Sequence, residues 1–187
     1  MRREQAAMER ADLARSEELA VRAAALVPES DALAGVAAFQ KGLRALQRDR
    51  SSEAVPLLLR AHSAFPDSKN ISYLLASAEA GAAFESKKWD VFLQKALEVE
   101  KLEPGEPKSV AQVASAYACL YAAAGHEDAR HKAEEYLERA SRLSKPGDPD
   151  FAEYNERIRY RLDTRQILTR DQYMRMRHPD LTPAVKP

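Results

Sequence analysis

Residues 51–68 read SSEAVPLLLRAHSAFPDS, and this stretch decides the fold. Ala54, Leu58 and Ala61 follow one another at steps of four and three, which on a helix puts them along one stripe. Ala54 and Ala61 are small enough to let a neighbouring helix come close, and Leu58 fills the space between them. Pro66 stops the helix, because it has no amide hydrogen and clashes with the preceding turn. Toward the N-terminus, Ser16, Ala20, Ala23 and Pro28 repeat the pattern at a uniform offset of 38 residues (54−16, 66−28). Toward the C-terminus, Ala96 and Ala140 continue it, so corresponding alanines stand 38 (61−23), 35 (96−61) and 44 (140−96) residues apart. A helix that recurs with one small–large–small face predicts an all-α chain of stacked helix pairs.

Composition agrees with that reading. The chain has 187 residues, enough for one domain with a real core or an elongated stack. It is rich in Ala, Leu, Glu and Arg and has only 6 Gly, a helix-forming balance. Lys and Arg number 29 against 29 Asp and Glu, so net charge gives no general argument for nucleic acid or an anionic membrane. The single cysteine, Cys119, excludes an intramolecular disulfide framework and fits a reducing compartment. No apolar run is long enough to span a bilayer, and the charged start MRREQAAMERADLARSEE lacks a signal-peptide core. The expectation is a cytoplasmic protein, or a periplasmic or membrane-tethered one if a leader precedes Met1.

In order, the pattern predicts four regions. Residues 1–30 form a charged N-terminal helix, either one or two nearly collinear pieces, acting as a partial repeat or cap. Residues 31–149 carry the helix pairs. Asp31 is a candidate N-cap for a helix over 32–48, and Ser51, Ser52 and Glu53 cap the next, with Pro56 in its first turns. A helix over 71–84 leads through a turn at 86–88 to a second one carrying the stripe Trp89, Leu93, Ala96 and Leu97. EPGEP at 103–107 breaks it. The third pair starts at Ser109, with Val113, Ala116, Tyr117, Leu120, Tyr121 and Ala124 as its apolar side. Residues 126–131 look inserted before the stripe Ala133, Leu137, Ala140. Residues 150–178 form a C-terminal helical hairpin, with Phe151, Tyr154, Ile158 and Leu162 on one face of a helix over 151–167. Thr169 and Gln172 make a capping box for a short last helix. This hairpin loosely resembles short C-terminal hairpins of bacterial proteins. Residues 179–187 form a Pro-rich extended tail.

Over residues 16–143 the chain resembles the tetratricopeptide repeat proteins, whose second helices carry the small–large–small–Pro spacing of Ala54, Leu58, Ala61 and Pro66. Gly42 falls where that family places a small residue between paired helices, and Trp89 where it often has an aromatic. The resemblance implies a short right-handed α-solenoid of about three helix pairs. It implies also a concave groove lined by the first helices, which binds a partner's helix or peptide. Aligned on Gly42, the groove positions are Val36, Phe39, Leu43 and Leu46, then Asn70, Tyr73, Ser77 and Ala80, then Gln112, Ser115 and Cys119. Phe39 and Leu43 stand where a carboxylate clamp for a C-terminal tail would need polar groups, so an amphipathic helix suits the groove better. Equally open is a packing role, with Phe39, Leu43 and Tyr73 in the core or under the N-terminal helix.

Motifs for chemistry are absent from the sequence: there is no HExxH, CxxC, GxxxxGK[ST] or GxGxxG. The expectation is no enzyme, no cofactor and no metal. Glu127 and His131 share a helix face without completing a ligand set, and Cys119 reads as a packed small residue. The basic feature is residues 151–178, with seven Arg against four acids, net +3 (7−4), among Tyr154, Tyr160 and Tyr173. Arg157, Arg161, Arg165, Arg175 and Arg177 are an alternative surface for RNA or an acidic partner. The competing reading is a solvated hairpin whose Arg residues pair inside the fold, which net neutrality favours. The sequence therefore predicts a non-catalytic scaffold or adaptor that binds another protein. A structural subunit docked through its termini is the alternative, and RNA or acidic-partner binding a second one.

Overall fold

A computed structural model describes residues 2–178, and the regular structure among them is entirely helical. The helices are α1 (Arg2–Leu26), α2 (Asp31–Gln47), α3 (Ser51–Ala64), α4 (Lys69–Glu85), α5 (Trp89–Leu102), α6 (Pro107–Ala124), α7 (Glu127–Leu143), α8 (Pro149–Thr164) and α9 (Arg170–Arg177). The chain divides into two compact units, Met1–Leu102 and Glu103–Pro187. The division falls at the EPGEP breaker, inside the segment 31–149 that the sequence reading kept whole. Residues 150–178 belong to the second unit. The predicted tail at 179–187 lies outside the described residues.

Helix starts recur at a fixed step. α2, α4 and α6 begin 38 residues apart (69−31, 107−69), and so do α3, α5 and α7 (89−51, 127−89). The turns keep register too, with left-handed residues at Asp49, Lys87 and Gly125 (φ 54, 56 and 79°). The Arg50 amide reaches the Ala45 carbonyl and the Lys88 amide reaches Ala83, 38 positions on (83−45). α8 follows α6 by 42 (149−107).

This register corrects several boundaries. Ser30, not Asp31, caps α2, its hydroxyl accepting from the Leu33 amide at 3.3 Å, and Ser68 caps α4 through Ile71 in the same way at 3.4 Å. α5 buries Phe92, Ala96 and Val99, each 38 positions after Ala54, Leu58 and Ala61 (92−54, 96−58, 99−61). The predicted stripe through Trp89, Leu93 and Leu97 had paired Ala96 with Ala61, three residues out of step. α6 opens at Pro107, where a missing amide costs nothing in the first turn, and Ser109 is buried inside it. Residues 126–131 are not an insertion: His126 is the N-cap of α7 and Glu127 its first residue. α8 ends at Thr164, before the left-handed Arg165 (φ 58°).

In the first unit, consecutive helices pack from α1 on α2 through α4 on α5. Ala54, Leu58 and Ala61 are fully buried, as their stripe requires. Gly42 lets α2 press on Leu58, because a Cβ there would lie 2.8 Å from Leu58 Cγ. Gly81 does the same for α4 against Ser51. α3 has no side-chain cap of its own at Arg50; the predicted Ser51–Glu53 cap is replaced from α4. The Glu85 carboxylate accepts the Ser51 amide at 2.9 Å, the Ser52 amide at 3.2 Å and the Ser52 hydroxyl. A carboxylate at this end also opposes the positive pole of the helix.

In the second unit, α6 packs on α7 and on α8. α6 is buried on nearly all sides, which its run of small residues allows. Val110, Ala114 and Ala118 of α6 meet Leu137 of α7 and Ile158 and Leu162 of α8. α9 has the predicted capping box at Thr169 and Gln172. Its Tyr173 is buried, with its ring 5.5 Å from that of Tyr160.

Candidate functional site

The predicted groove residues divide between the units. In the first, Val36, Phe39, Leu43 and Leu46 run along α2 at steps of three, four and three, one stripe of a helix. Val36 is 37% exposed, while Phe39, Leu43 and Leu46 are half-buried. Phe39 rests against two buried clusters, one around Ala45, Ala54, Leu58 and Ala78 and one around Ala38, Ala61 and Ile71. Leu46 lies against the first of these. The stripe is thus core on one flank and open on the other.

On α4, Asn70 is exposed, and Tyr73 and Ser77 are half-buried. The structural step of 38 makes Leu74, Ser77, Gly81 and Phe84 the equivalents of Val36, Phe39, Leu43 and Leu46 (74−36, 84−46). The family period had placed this set one helical turn earlier, and only Ser77 is common to both. Ala80 is buried.

In the second unit, Gln112, Ser115 and Cys119 do hold the step of 38 from Leu74, Ser77 and Gly81 (112−74, 119−81). Gln112 is half-buried. Ser115 is buried, and its hydroxyl and carbonyl accept from Arg161 Nη1 at 2.8 and 3.1 Å. Cys119 is fully buried; burial pushes its thiol up to about 11, with Arg161 pulling partly the other way. α8 therefore covers Ser115 and Cys119 on the face that the resemblance assigns to a groove.

A cleft of about 350 Å³ opens in the first unit between α3, α4 and α5. Its lining combines the apolar Leu75, Ala76 and Leu102 with the polar His62, Glu79, Glu98 and Lys101. Beside it Lys95 joins Glu79 at 2.9 Å and Glu98 at 2.8 Å. The hydrogen bond that the ammonium donates to Glu79, then that to Glu98, holds its pKa above the ordinary value. The pairing leaves Lys95 charged and tethered, a linker of two helices rather than a base.

Of the arginines of the C-terminal hairpin, Arg161 is buried and Arg157 half-buried, while Arg159, Arg165, Arg170, Arg175 and Arg177 are exposed. Arg161 is 4% exposed and held by Ser115. Arg165 sends Nη2 to the Ala122 carbonyl at 3.4 Å and lies 5.6 Å over the Tyr121 ring. It thereby opposes the negative end of α6. Arg130 lies over the same ring at 5.6 Å, and Arg157 over Tyr154 at 5.0 Å. Arg170 grips Glu153 with both fork nitrogens at 2.8 Å, which lowers the Glu153 pKa. Arg177 is 4.0 Å from Glu156, and Arg175 is exposed. Arg161 is thus an interior group, and Arg165 an exposed cation that caps the end of α6.

The exposed apolar side chains Leu19 (58%) and Leu26 (83%) were not singled out from the sequence. They stand seven positions apart on α1, on a shared stripe, and only their spacing could have flagged them. Among the described residues no group of three or more His, Cys, Asp and Glu could hold a metal ion, and no helix is long and apolar enough to cross a membrane. No family model, curated protein or solved structure matches this chain.

Proposed function

We propose that the chain is a non-catalytic interaction module, a helical-repeat adaptor of tetratricopeptide-like build that binds a helix or peptide of another protein. The observation that carries this reading is the partly open apolar stripe of α2, set on helix pairs that recur every 38 residues. Val36 offers its side chain outward while Phe39 and Leu46 behind it are anchored in the core. A rigid base with an apolar exposed edge suits an amphipathic helix laid along it. Regular repetition of one hairpin makes such a surface extensible without new chemistry.

The test is a pull-down from source extract with the wild type and a Val36→Glu/Asn70→Glu variant. Both positions are exposed, so the variant should keep its helical circular dichroism. A partner held by the wild type and lost by the folded variant supports the reading. Equal capture by both removes the α2–α4 face as the binding surface.

A further inference from the structure

The hairpins α4–α5 and α6–α7 are copies at a step of 38, yet they fill one shared place differently. In the second unit, Tyr117 and Tyr136 pack ring against ring at 5.8 Å. Both lie on the buried cluster that holds Ala114, Ala133 and Ala140, and Arg139 lies over the Tyr136 ring at 5.8 Å. The counterparts in the first unit are Glu79, Glu98 and Lys101 (117−79, 136−98, 139−101), with Lys95 in the place of Ala133 (133−95). Instead of a ring pair, Lys95 there ties Glu79 to Glu98, and the cleft of about 350 Å³ opens beside them. Leu102 on its wall is 41% exposed, whereas its counterpart Ala140 (140−102) is fully buried. The place that the second unit fills with its own rings is open in the first.

We propose that this cleft docks the side chain of a tyrosine from a partner polypeptide. Its volume falls in the range of small-ligand sites, and Leu75, Ala76 and Leu102 offer the ring an apolar wall. Lys95 takes Oε2 of each carboxylate, so Oε1 of Glu79 and of Glu98 can accept from a phenol hydroxyl. Lys101 holds the position from which Arg139 meets its ring, and supplies a cation for the ring face. Charge argues against an arginine or lysine as the occupant: Glu79 and Glu98 against Lys95 and Lys101 sum to zero (2−2). A phenylalanine would fill the same space but bring the carboxylates no donor. Neither Leu59 nor Val91 lines the cleft. The inference rests on the adaptor reading for a polypeptide partner, but not for the chemistry of the cleft.

The full chain, labelled with ¹³C at its leucine methyls, is titrated with N-acetyl-tyrosinamide. The expected result is a saturable shift of the Leu75 and Leu102 signals, half complete at about 1 mM, with Leu19 and Leu26 unmoved. N-acetyl-phenylalaninamide should bind about fivefold more weakly for want of one hydrogen bond. N-acetyl-leucinamide and N-acetyl-argininamide should not saturate. Lys101→Ala should weaken tyrosinamide binding about threefold. The triple variant Glu79→Tyr/Lys95→Ala/Glu98→Tyr transplants the arrangement of the second unit; it should melt at the wild-type temperature or above and show no shift. An acetylated, amidated pentapeptide with one tyrosine among alanines should bind at least as tightly as the single-residue probe. A linear response overturns the proposal, as does leucinamide or argininamide binding as tight as that of tyrosinamide. Unchanged binding in the folded triple variant overturns it too, and loss of helical circular dichroism in that variant would show that the two hairpins do not share this place. A silent pentapeptide beside a bound single-residue probe would make the cleft a small-molecule site and overturn tyrosine docking. The Val36→Glu/Asn70→Glu variant should leave this titration unchanged, so either proposal can fail alone.

Discussion

Gly42→Ala and Leu58→Ala, combined, test the close approach of α2 to α3. In the wild type a Cβ at position 42 would stand 2.8 Å from Leu58 Cγ and 2.9 Å from Cδ2, where unstrained carbon contacts need about 3.5–4.0 Å. Leu58 is fully buried and cannot swing away. Overpacking of this kind costs about 1–3 kcal/mol, offset by about 1 kcal/mol of helix propensity gained on replacing glycine. Gly42→Ala alone should thus cost about 1 kcal/mol. Leu58→Ala alone should cost about 3–4 kcal/mol through lost burial and a cavity. In the Leu58→Ala background the clash is gone and the new methyl enters the cavity, so Gly42→Ala should stabilise by about 1 kcal/mol. The coupling is about 2 kcal/mol, well outside additive behaviour. Urea unfolding followed through the one tryptophan measures it, since Trp89 lies in the same unit and packs edge-on against Phe84 at 5.7 Å. Additivity within about 0.5 kcal/mol would refute the packing argument.

Glu85→Ala should cost about 1 kcal/mol, the usual worth of a helix cap, and hydrogen exchange at Ser51 and Ser52 should quicken selectively. Glu153→Gln should lose about 1 kcal/mol near neutral pH, where Arg170 holds the carboxylate ionised. Because the folded pKa is depressed, that difference should persist above the ordinary carboxylate value and fade as acid protonates the folded form, read by urea titrations at several pH values. Cys119, with its thiol pushed up to about 11 by burial, should resist an aromatic disulfide reagent at pH 8 and react fully only in denaturant.

The helical class was legible because Ala54, Leu58 and Ala61 carry a helix period that burial enforces. The same is true of Ala133, Leu137 and Ala140, which are buried as their spacing predicts. The step of 38 was read between the first two copies and lost afterwards. In α5 the roles of small and large residues move: Phe92 occupies the place of Ala54, and Ala96 that of Leu58. A pattern keyed to alanine then locks onto the wrong position. Turn register, set by left-handed Asp49 and Lys87, has no glycine signature at those two sites and so left no mark. The cap from Glu85 on Ser51 and Ser52 joins residues 33 and 34 positions apart, which no local motif records. Of the Arg-rich hairpin, composition gave the surplus charge. It could not say that Arg161 turns inward onto Ser115 while Arg175 stays outside.

Site-specific photocrosslinking tests the proposed binding surface most directly. A photoreactive amino acid is placed at Val36, at Leu59 or at Val91, which are all exposed (37, 53 and 42%). The adaptor reading predicts a crosslinked partner from position 36 and none from 59 or 91, which lie on the second helix of their pairs. Crosslinking confined to 59 or 91, with position 36 silent, would contradict it.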